Sequence, residues 1–440
     1  MRGISRRTLL ATGGIALAGA ASGCGTPVAT SFTGAQPATA DVIFWHLFGG
    51  GDGANMGTMV DSYRSSSGRS VEPTLLSWGN PYYTKLALSA SSGRPPDVAV
   101  AHLSRLPLLA RAGLLEPVAD QFTEAGITQD RFTPAAWEKA TVDETPYAVP
   151  LDTHPFVMFY NVELAEKAGL LGSDGRLKPL TGRDDFVAAV SAMKEAGGEE
   201  YGAVCTITAD PSTNWRLFTM AYSGLAGPLV TDLGTKVTLD RDAAGETFEF
   251  LQSLTGSERL MPSTATATTS STLFSQGRVG FLFDGVWQIP TYRGVEGLDF
   301  DVAPFPPLLG SDPVAYADSH ALVVPRSEGR SSARTADAVG FIKGLLDQSL
   351  TWADGGHVPA WLPVQESEDF RSLDPQSGYI EAAFNAVYDP PGWYTGAGSD
   401  FQTAMGSVIA SVLSGGTDPS SGVSDVADSL KTFSTARSPV

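Results

Sequence analysis

The sequence predicts an α/β chain folded as two lobes, on three observations. Strand-like and helix-like runs alternate near the N-terminus at the spacing of a parallel sheet with crossover helices. Three later apolar segments are broken by Pro, Gly or a polar residue, and read as passages of chain between lobes. The 440 residues are 42% apolar and only 18% charged, which suits sizeable cores in two or three domains and excludes a disordered chain.

The opening residues, "MRGISRRTLLATGGIALAGAASGCG", hold three arginines, a weakly apolar run from Leu9 to about Ala21, and small residues before Cys24. That run is too short to span a bilayer and has the layout of an export signal over residues 1–23. Arg6-Arg7 after Ser5, with Leu9 and Leu10 following, resembles a twin-arginine signal. "ASGC" resembles a lipoprotein cleavage box in which Cys24 becomes the lipidated first residue. Residues 24–40, rich in Thr, Ala, Pro and Gly, read as a flexible tether reaching roughly 20 to 25 Å.

Next comes "DVIFWHLF", a strand, and then the turn "GGGDGAN". Asn55 is a natural N-cap for a helix whose apolar face is Met56, Met59, Val60 and Tyr63, stopped by Gly68. "VEPTLLS" reads as the second strand, and "NPYYTKLALSA" as a helix with Asn80 as cap and Pro81 at its first position. "PPDVAVA" reads as the third strand, followed by the helix "RLPLLARAGLL" closed by Gly113. In such open sheets ligands sit at the carboxyl ends of the strands, where His46 to Asn55, Trp78, Asn80 and His102 to Ser104 fall.

"YAVPLDTHPFVMFYN" is broken by Pro150, Asp152, His154 and Pro155, too interrupted for a central strand, and reads as the first passage between lobes. A mostly helical stretch runs from Thr181 to about Leu260, then a Ser/Thr-rich loop, then strand-like "VGFLFDGVW". "AYADSHALVVP" reads as the second passage, and "GGHVPAWLPV", after the helix "TADAVGFIKGLL", as the third.

Composition narrows the function. With 48 acidic against 29 basic residues the net charge is -19, so nucleic acid is repelled. Loss of the leader removes Arg2, Arg6 and Arg7, leaving 48 acids against 26 bases, or -22. Cys205 is then the remaining cysteine, reading as a small buried hydrophobe that forms no intramolecular disulfide.

The glycine turn lacks a Lys-Ser/Thr ending and never gives G-x-G-x-x-G, and Asp52 would face a phosphate. Its glycines suit close backbone approach to an uncharged ligand, with Phe48 beside it and Asp52 and Asn55 contacting hydroxyls. Neither G-x-S-x-G nor H-E-x-x-H occurs. His46, His102, His154, His320 and His357 all fall at strand ends or passages, but no two share H-x-x-x-H spacing, so neither a metal nor a cofactor is expected. Asp152 and Asp284 are the carboxylates a glycosidase would need; hydrogen-bonding a ligand or capping a helix is the reading preferred for them. Trp78, Trp287, Trp361 and Trp393 lie beside Gly, Pro or a polar residue at element ends, and several at the rim of one cleft favour stacking on sugar rings.

These residues resemble the family 1 extracellular solute-binding proteins, the maltose-type carbohydrate receptors of bacterial ABC importers. "PPDVAVAHLSRLPLLARAGLLEPV" is similar to the family's P-D strand and A-G-L-L helix, and "YAVPLDTHPFVMFYNVELAEKAGL" to its Y-x-V-P passage and Y-N segment. "FSQGRVGFLFDGVW" resembles its G-x-W element, with Gly280 and Phe281 in place of Ala-Met, and "GHVPAWLPV" its returning G-x-x-P.

The resemblance implies a periplasmic-binding-protein fold, each lobe a mixed sheet flanked by helices, with three inter-lobe crossings. Lobe one would be 41–150 with 321–357, and lobe two 151–320 with 358–440. It implies a carbohydrate ligand, an ABC permease as partner, a lipid anchor at the membrane, a monomer and no chemistry. Trp287 falls on the family's stacking tryptophan; His46, Phe48, Asp52, Asn55, Trp78, His102, Ser104, Asp152, Thr153, His154, Asp284 and His320 are the further candidates. Trp215, Trp361, Trp393 and Tyr394 complete the set. The acids suit a neutral oligosaccharide or an amino sugar better than a sugar phosphate. The competing readings are a secreted carbohydrate-active hydrolase and a metal-binding receptor.

Overall fold

The computed structural model describes residues 40–118 and 120–438. Residues 1–39, with Cys24, lie outside the described residues, as does the leader. Among the described residues no helix is long and apolar enough to cross a membrane.

The chain opens with β1 (Val42–His46), α1 (Gly50–Ser67), β2 (Val71–Leu75), α2 (Asn80–Ser91) and β3 (Val98–His102). β1 pairs parallel with β2, Val42 opposite Val71, and with β3, Phe44 opposite Val98. α1 buries the expected Met56, Met59, Val60 and Tyr63, but it begins at Gly50, not Asn55. The glycine stretch is therefore its first turns. A Cβ on Gly51 would lie 2.6 Å from Pro290, and one on Gly53 2.9 Å from the Phe48 carbonyl, so these glycines permit close packing around the helix start.

After β4 (Val149–Pro150) the chain leaves this sheet and enters β5 (Asp152–Asn161), all ten of whose residues are buried. This corrects the expectation that the segment is too interrupted for a central strand. Pro155 is accommodated because β5 changes partners there. The ladder to β7 (Phe281–Gly285) ends at Phe156, and Pro155 instead faces Ala317. Alongside β7 runs β6 (Ala203–Cys205), and β8 (Phe300–Ala303) covers Met158 to Asn161. Cys205 is buried and free, as expected of a small hydrophobe.

The second return is short. β9 (Ala315–Asp318) belongs to the β5 sheet and β10 (His320–Val323) to the first, with Ser319 between them. The first sheet thus runs β2-β1-β3-β10-β4, its last two strands antiparallel. The third passage is β11 (Val358–Pro359), which pairs with Asp152 and Thr153, after two helices, α3 (Ser332–Asp347) and α4 (Ser349–Asp354). β12 (Ala386–Val387) edges the second sheet beside β9.

Each sheet has its own apolar packing. One cluster gathers Phe44, Val98, Phe341, Trp352 and Trp361 about the first sheet. The second sheet packs on both faces, with Phe156, Trp215 and Phe283 on one and Val157, Phe159 and Leu282 on the other. That double burial explains the nearly unbroken apolar run of β5.

Candidate functional site

The three passages meet at Asp152. Its carboxylate is wholly buried and accepts from His154 Nδ1 (3.1 Å), the His320 backbone N–H (2.8 Å), His320 Nδ1 (2.8 Å) and Trp352 Nε1 (2.6 Å). Its backbone carbonyl accepts from Ser319 Oγ. His357, on the third passage, brings Nδ1 to 3.0 Å of Asp152 Oδ2 and Nε2 to 3.0 Å of Asp52 Oδ1. Trp352 stacks on His357 at 4.3 Å, and the His154 and His320 rings stack at 4.1 Å.

Burial would raise the Asp152 pKa, but the facing imidazoles of His320, His154 and His357 hold it well below the usual carboxylate range. Burial likewise works against charge on His357, yet Asp52 and Asp152 outweigh it and lift that imidazole to about 10. His154 goes the other way, pushed down to about 3 by burial and by His320. His102 falls well below its ordinary value for the same reasons. At neutral pH Asp152 is therefore a buried anion beside the His357 imidazolium, with His154 and His102 neutral.

Above this group lies a cleft of about 360 Å³ lined from both sheets. Phe48, Asp52, Trp78 and His102 contribute from the first; Asp284, Trp287, Asp210 and Tyr316 from the second; His154 and His320 form part of its wall at the junction. Trp287 rests on Gly285, where a Cβ would fall 2.0 Å from the ring, so that glycine allows the indole its seat. The guanidinium of Arg216 lies 4.9 Å from the Trp287 ring centre. Burial raises Asp284 to about 6 against the opposing Gly285 N–H, and raises Asp318 to about 7 against its hydrogen bond from Ser104 Oγ. An aromatic face, short acids, two amides and one guanidinium make a surface that hydrogen-bonds a polyhydroxylated ligand.

A family model for bacterial extracellular solute-binding proteins matches residues 58–373. The chain belongs to this family. Among relatives of this solute-binding protein, the maltotriose-binding protein of Pyrococcus abyssi is 24% identical over 227 residues, 51% of this chain. The match spans about half of that relative, 45% of its length. The arabinooligosaccharide-binding protein of Bacillus subtilis is 22% identical over 323 residues, 68% of each chain. The fold is shared with the GacH receptor of Streptomyces glaucescens, at a TM-score of 0.74 and 20% identity, covering 90% of this chain and 99% of that one. It is shared too with the maltotriose-binding protein of Thermus thermophilus, at a TM-score of 0.70 and 20% identity, covering 89% and 99%. These neighbours have the two-lobed architecture expected from the sequence.

In this solute-binding protein the candidates separate by position. Phe48, Asp52, Trp78, His102, His154, Asp284, Trp287 and His320 line the cleft. Asp152 lies beneath it with no exposure, and Thr153 is buried in β5 opposite Val358. His46 is buried between the rings of Phe44 and Phe48, and Asn55 sits against Gly355. Ser104 acts through Asp318 and accepts from the Ala397 N–H at 3.0 Å.

The remaining aromatics are placed away from the cleft. Trp215 is fully buried with Nε1 donating to Asp389 at 2.6 Å, and Trp361 is sealed against Phe132. Trp393 borders a separate hollow with Leu108 and Leu233, and Tyr394 donates to the Gly234 carbonyl. For these four, packing rather than ligand stacking is the role the structure gives: Trp215 points from the interior of a helix (Pro211–Ser223) into the core, and the Gly and Pro beside the other three belong to turns away from the cleft. Sequence reasoning passed over Asp210, Arg216, Gln288, Tyr316, Asp318 and Gln402. Arg216, Gln288 and Asp318 each adjoin or lie two residues from a residue already singled out, which was the available signal.

Proposed function

We propose that this protein is the extracytoplasmic receptor of an ABC importer, capturing a carbohydrate between its lobes and delivering it to the membrane permease without transforming it. The observation that carries the reading is Trp287, a half-buried indole seated on Gly285 inside an acid-lined cleft. The exposed indole of Trp78, 44% accessible, offers a second apolar face from the other sheet. Stacking contributes about 0.5–1.5 kcal/mol per ring and each good hydrogen bond about 1 kcal/mol. Two rings and several such bonds reach the ~8 kcal/mol of micromolar binding.

The relatives support the ligand class. Those proteins are named for maltotriose and arabino-oligosaccharides, and the Streptomyces receptor was solved with acarbose. Asp52, Asp210, Asp284 and Asp318 face one cleft cation, Arg216, which disfavours a phosphate and suits a neutral oligosaccharide or an amino sugar. An ammonium group would meet Asp284 and Asp210 rather than Asp152, whose oxygens are enclosed by donors. The same enclosure argues against Asp152 as one of a pair of hydrolytic carboxylates.

We read the lobes as 41–150 with 321–357 and 151–320 with 358–440, except that His320 and the stretch about Trp361 pack with the first sheet, and as closing about the Asp152 junction when sugar contacts both. Cys24 would anchor a monomer to the outer face of the cell membrane through its lipid. The test is a thermal-shift screen with maltotriose, arabino-oligosaccharides and amino sugars, followed by chromatography of the recovered ligand. A raised melting temperature with intact sugar is expected. Absence of a shift with every saccharide, or the appearance of cleavage products, overturns the reading.

A further inference from the structure

We propose that Asp152, His154, His320 and His357 form a binding site for a first-row transition cation such as Zn2+, at the point where the three passages between the lobes meet. Each residue offers one ligand atom, all four atoms lie within 4.8 Å of one another, and all four residues are buried. The sequence hides this set because its three histidines come from three different passages, so no short spacing joins one histidine to another.

A second observation points to an occupant. His357 has no exposure, and its Nδ1 makes no hydrogen bond although it lies 3.0 Å from Asp152 Oδ2. The separation suits an ion pair, but the direction does not suit an N–H donor. Its other nitrogen faces Asp52 Oδ1 at 3.0 Å. The Nδ1 lone pair, bared when the imidazolium gives up its second proton, lies along that same direction, so this buried nitrogen has no partner in either protonation state. A buried nitrogen without a partner is unfavourable, and a cation that displaces its proton and is held by Nδ1 and the neighbouring carboxylate would give it one.

The chemistry of the set selects the cation. Three imidazole nitrogens and one carboxylate match zinc and its neighbours, whereas Ca2+ and Mg2+ prefer sites built from oxygens. The surrounding bonds also match, since metal-bound imidazoles commonly donate their other nitrogen to a carboxylate. Asp52 does this for His357, while Trp352 Nε1 and the His320 N–H hold the Asp152 carboxylate in place. Ligand atoms of a tetrahedral zinc site lie roughly 3.4 Å apart, so side-chain rotations that draw the four inward by an ångström or less suffice. The cation would then join all three passages at one atom.

This inference does not rest on the sugar reading, because its readout needs no sugar. The full chain, stripped with a chelator, is titrated with Co2+ and followed by visible absorption. One equivalent giving tetrahedral ligand-field bands, displaced by Zn2+ but not by Ca2+, is expected, with a raised melting temperature. The double variant His154→Gln/His357→Gln, checked for folding by circular dichroism, should lose the bands. Asp52→Asn should weaken binding about 10- to 100-fold without changing the stoichiometry. Three of the chain's five histidines belong to this set, and of the other two His102 lies beside His320 and His46 is packed between Phe44 and Phe48. Absence of Co2+ bands on the unaltered chain, or their persistence in a folded double variant, overturns the proposal.

Discussion

Trp352 and Asp152 meet across the join between the two sheets: the indole Nε1–H donates to Oδ2 at 2.6 Å, with no water-exposed surface on either residue. The indole belongs to the core of the first sheet, and the carboxylate opens the central strand of the second. One hydrogen bond to a buried charge thus fixes how the strand leaves the junction.

Removing that donor should therefore cost stability well beyond the volume lost. Trp352→Phe takes away a hydrogen bond to a charged group, worth about 1.5–3 kcal/mol, and leaves a buried oxygen short of one partner. Asp152→Ala should cost more, about 3–5 kcal/mol, because it strands His357 between one carboxylate and nothing. Urea unfolding checks both, and a loss under 1 kcal/mol for Asp152→Ala would show that the junction does not hold the lobes.

The tryptophans should divide into two groups. Trp287→Ala is expected to lower sugar affinity about 10-fold or more while leaving the unfolding midpoint nearly unchanged, because the ring is only half-buried at the cleft. Trp361→Ala and Trp215→Ala should instead lose about 3–5 kcal/mol of stability, since both rings are at least 99% buried. Calorimetric titration paired with denaturant curves separates the groups.

That division shows what the sequence could and could not convey. The face Met56, Met59, Val60 and Tyr63 was legible because helical periodicity is a local property, and Trp287 was legible from the residues around it. Trp361 was not, since the Gly and Pro neighbours that suggest a rim equally serve a buried turn. β5 was misread because Pro155 marks a strand as interrupted only when partners are continuous, and here they change at that residue. The histidine cluster was invisible for a related reason: its members are brought together by passages 166 residues apart (154 to 320) and 37 apart (320 to 357), which no spacing rule spans.

Asp284 should make stability depend on pH in a defined direction. Its folded pKa of about 6 is above the ordinary value, so its neutral form is favoured in the native state. The contribution is fully present below about pH 4 and is lost as pH rises through 6. Asp284→Asn should therefore be more stable than the parent at pH 7, by about 1 kcal/mol given the solvent at its cleft side, and equal to it near pH 4. Melting curves at both values decide this, and a variant less stable at pH 7 would contradict it.

Arg216 offers a test of ligand charge. It is the cation among the cleft-lining residues, and its guanidinium lies over the Trp287 ring. Arg216→Met keeps the stem while removing the charge and its donors. A neutral oligosaccharide should then bind about 5- to 10-fold more weakly through the lost hydrogen bonds. An amino sugar should bind as well or better, because Asp284 loses the cation that faces it. Equal loss for both ligands would mean that Arg216 acts by shaping the Trp287 platform rather than by charge.

Gly285 ties the local backbone to recognition without touching ligand. A Cβ there would fall within 2.0–2.2 Å of three atoms of the Trp287 ring, far inside contact distance, so Gly285→Ala must displace the indole. The strand itself should persist, because Gly285 pairs with Phe156 through its backbone and its φ of -88° is ordinary for any residue. Sugar affinity should fall to the level of Trp287→Ala although Trp287 is still present, with its fluorescence shifted toward that of an exposed indole. Unchanged affinity would require the ring to find an equivalent seat, and the double variant with Trp287→Ala distinguishes the cases: no further loss places both residues in one unit.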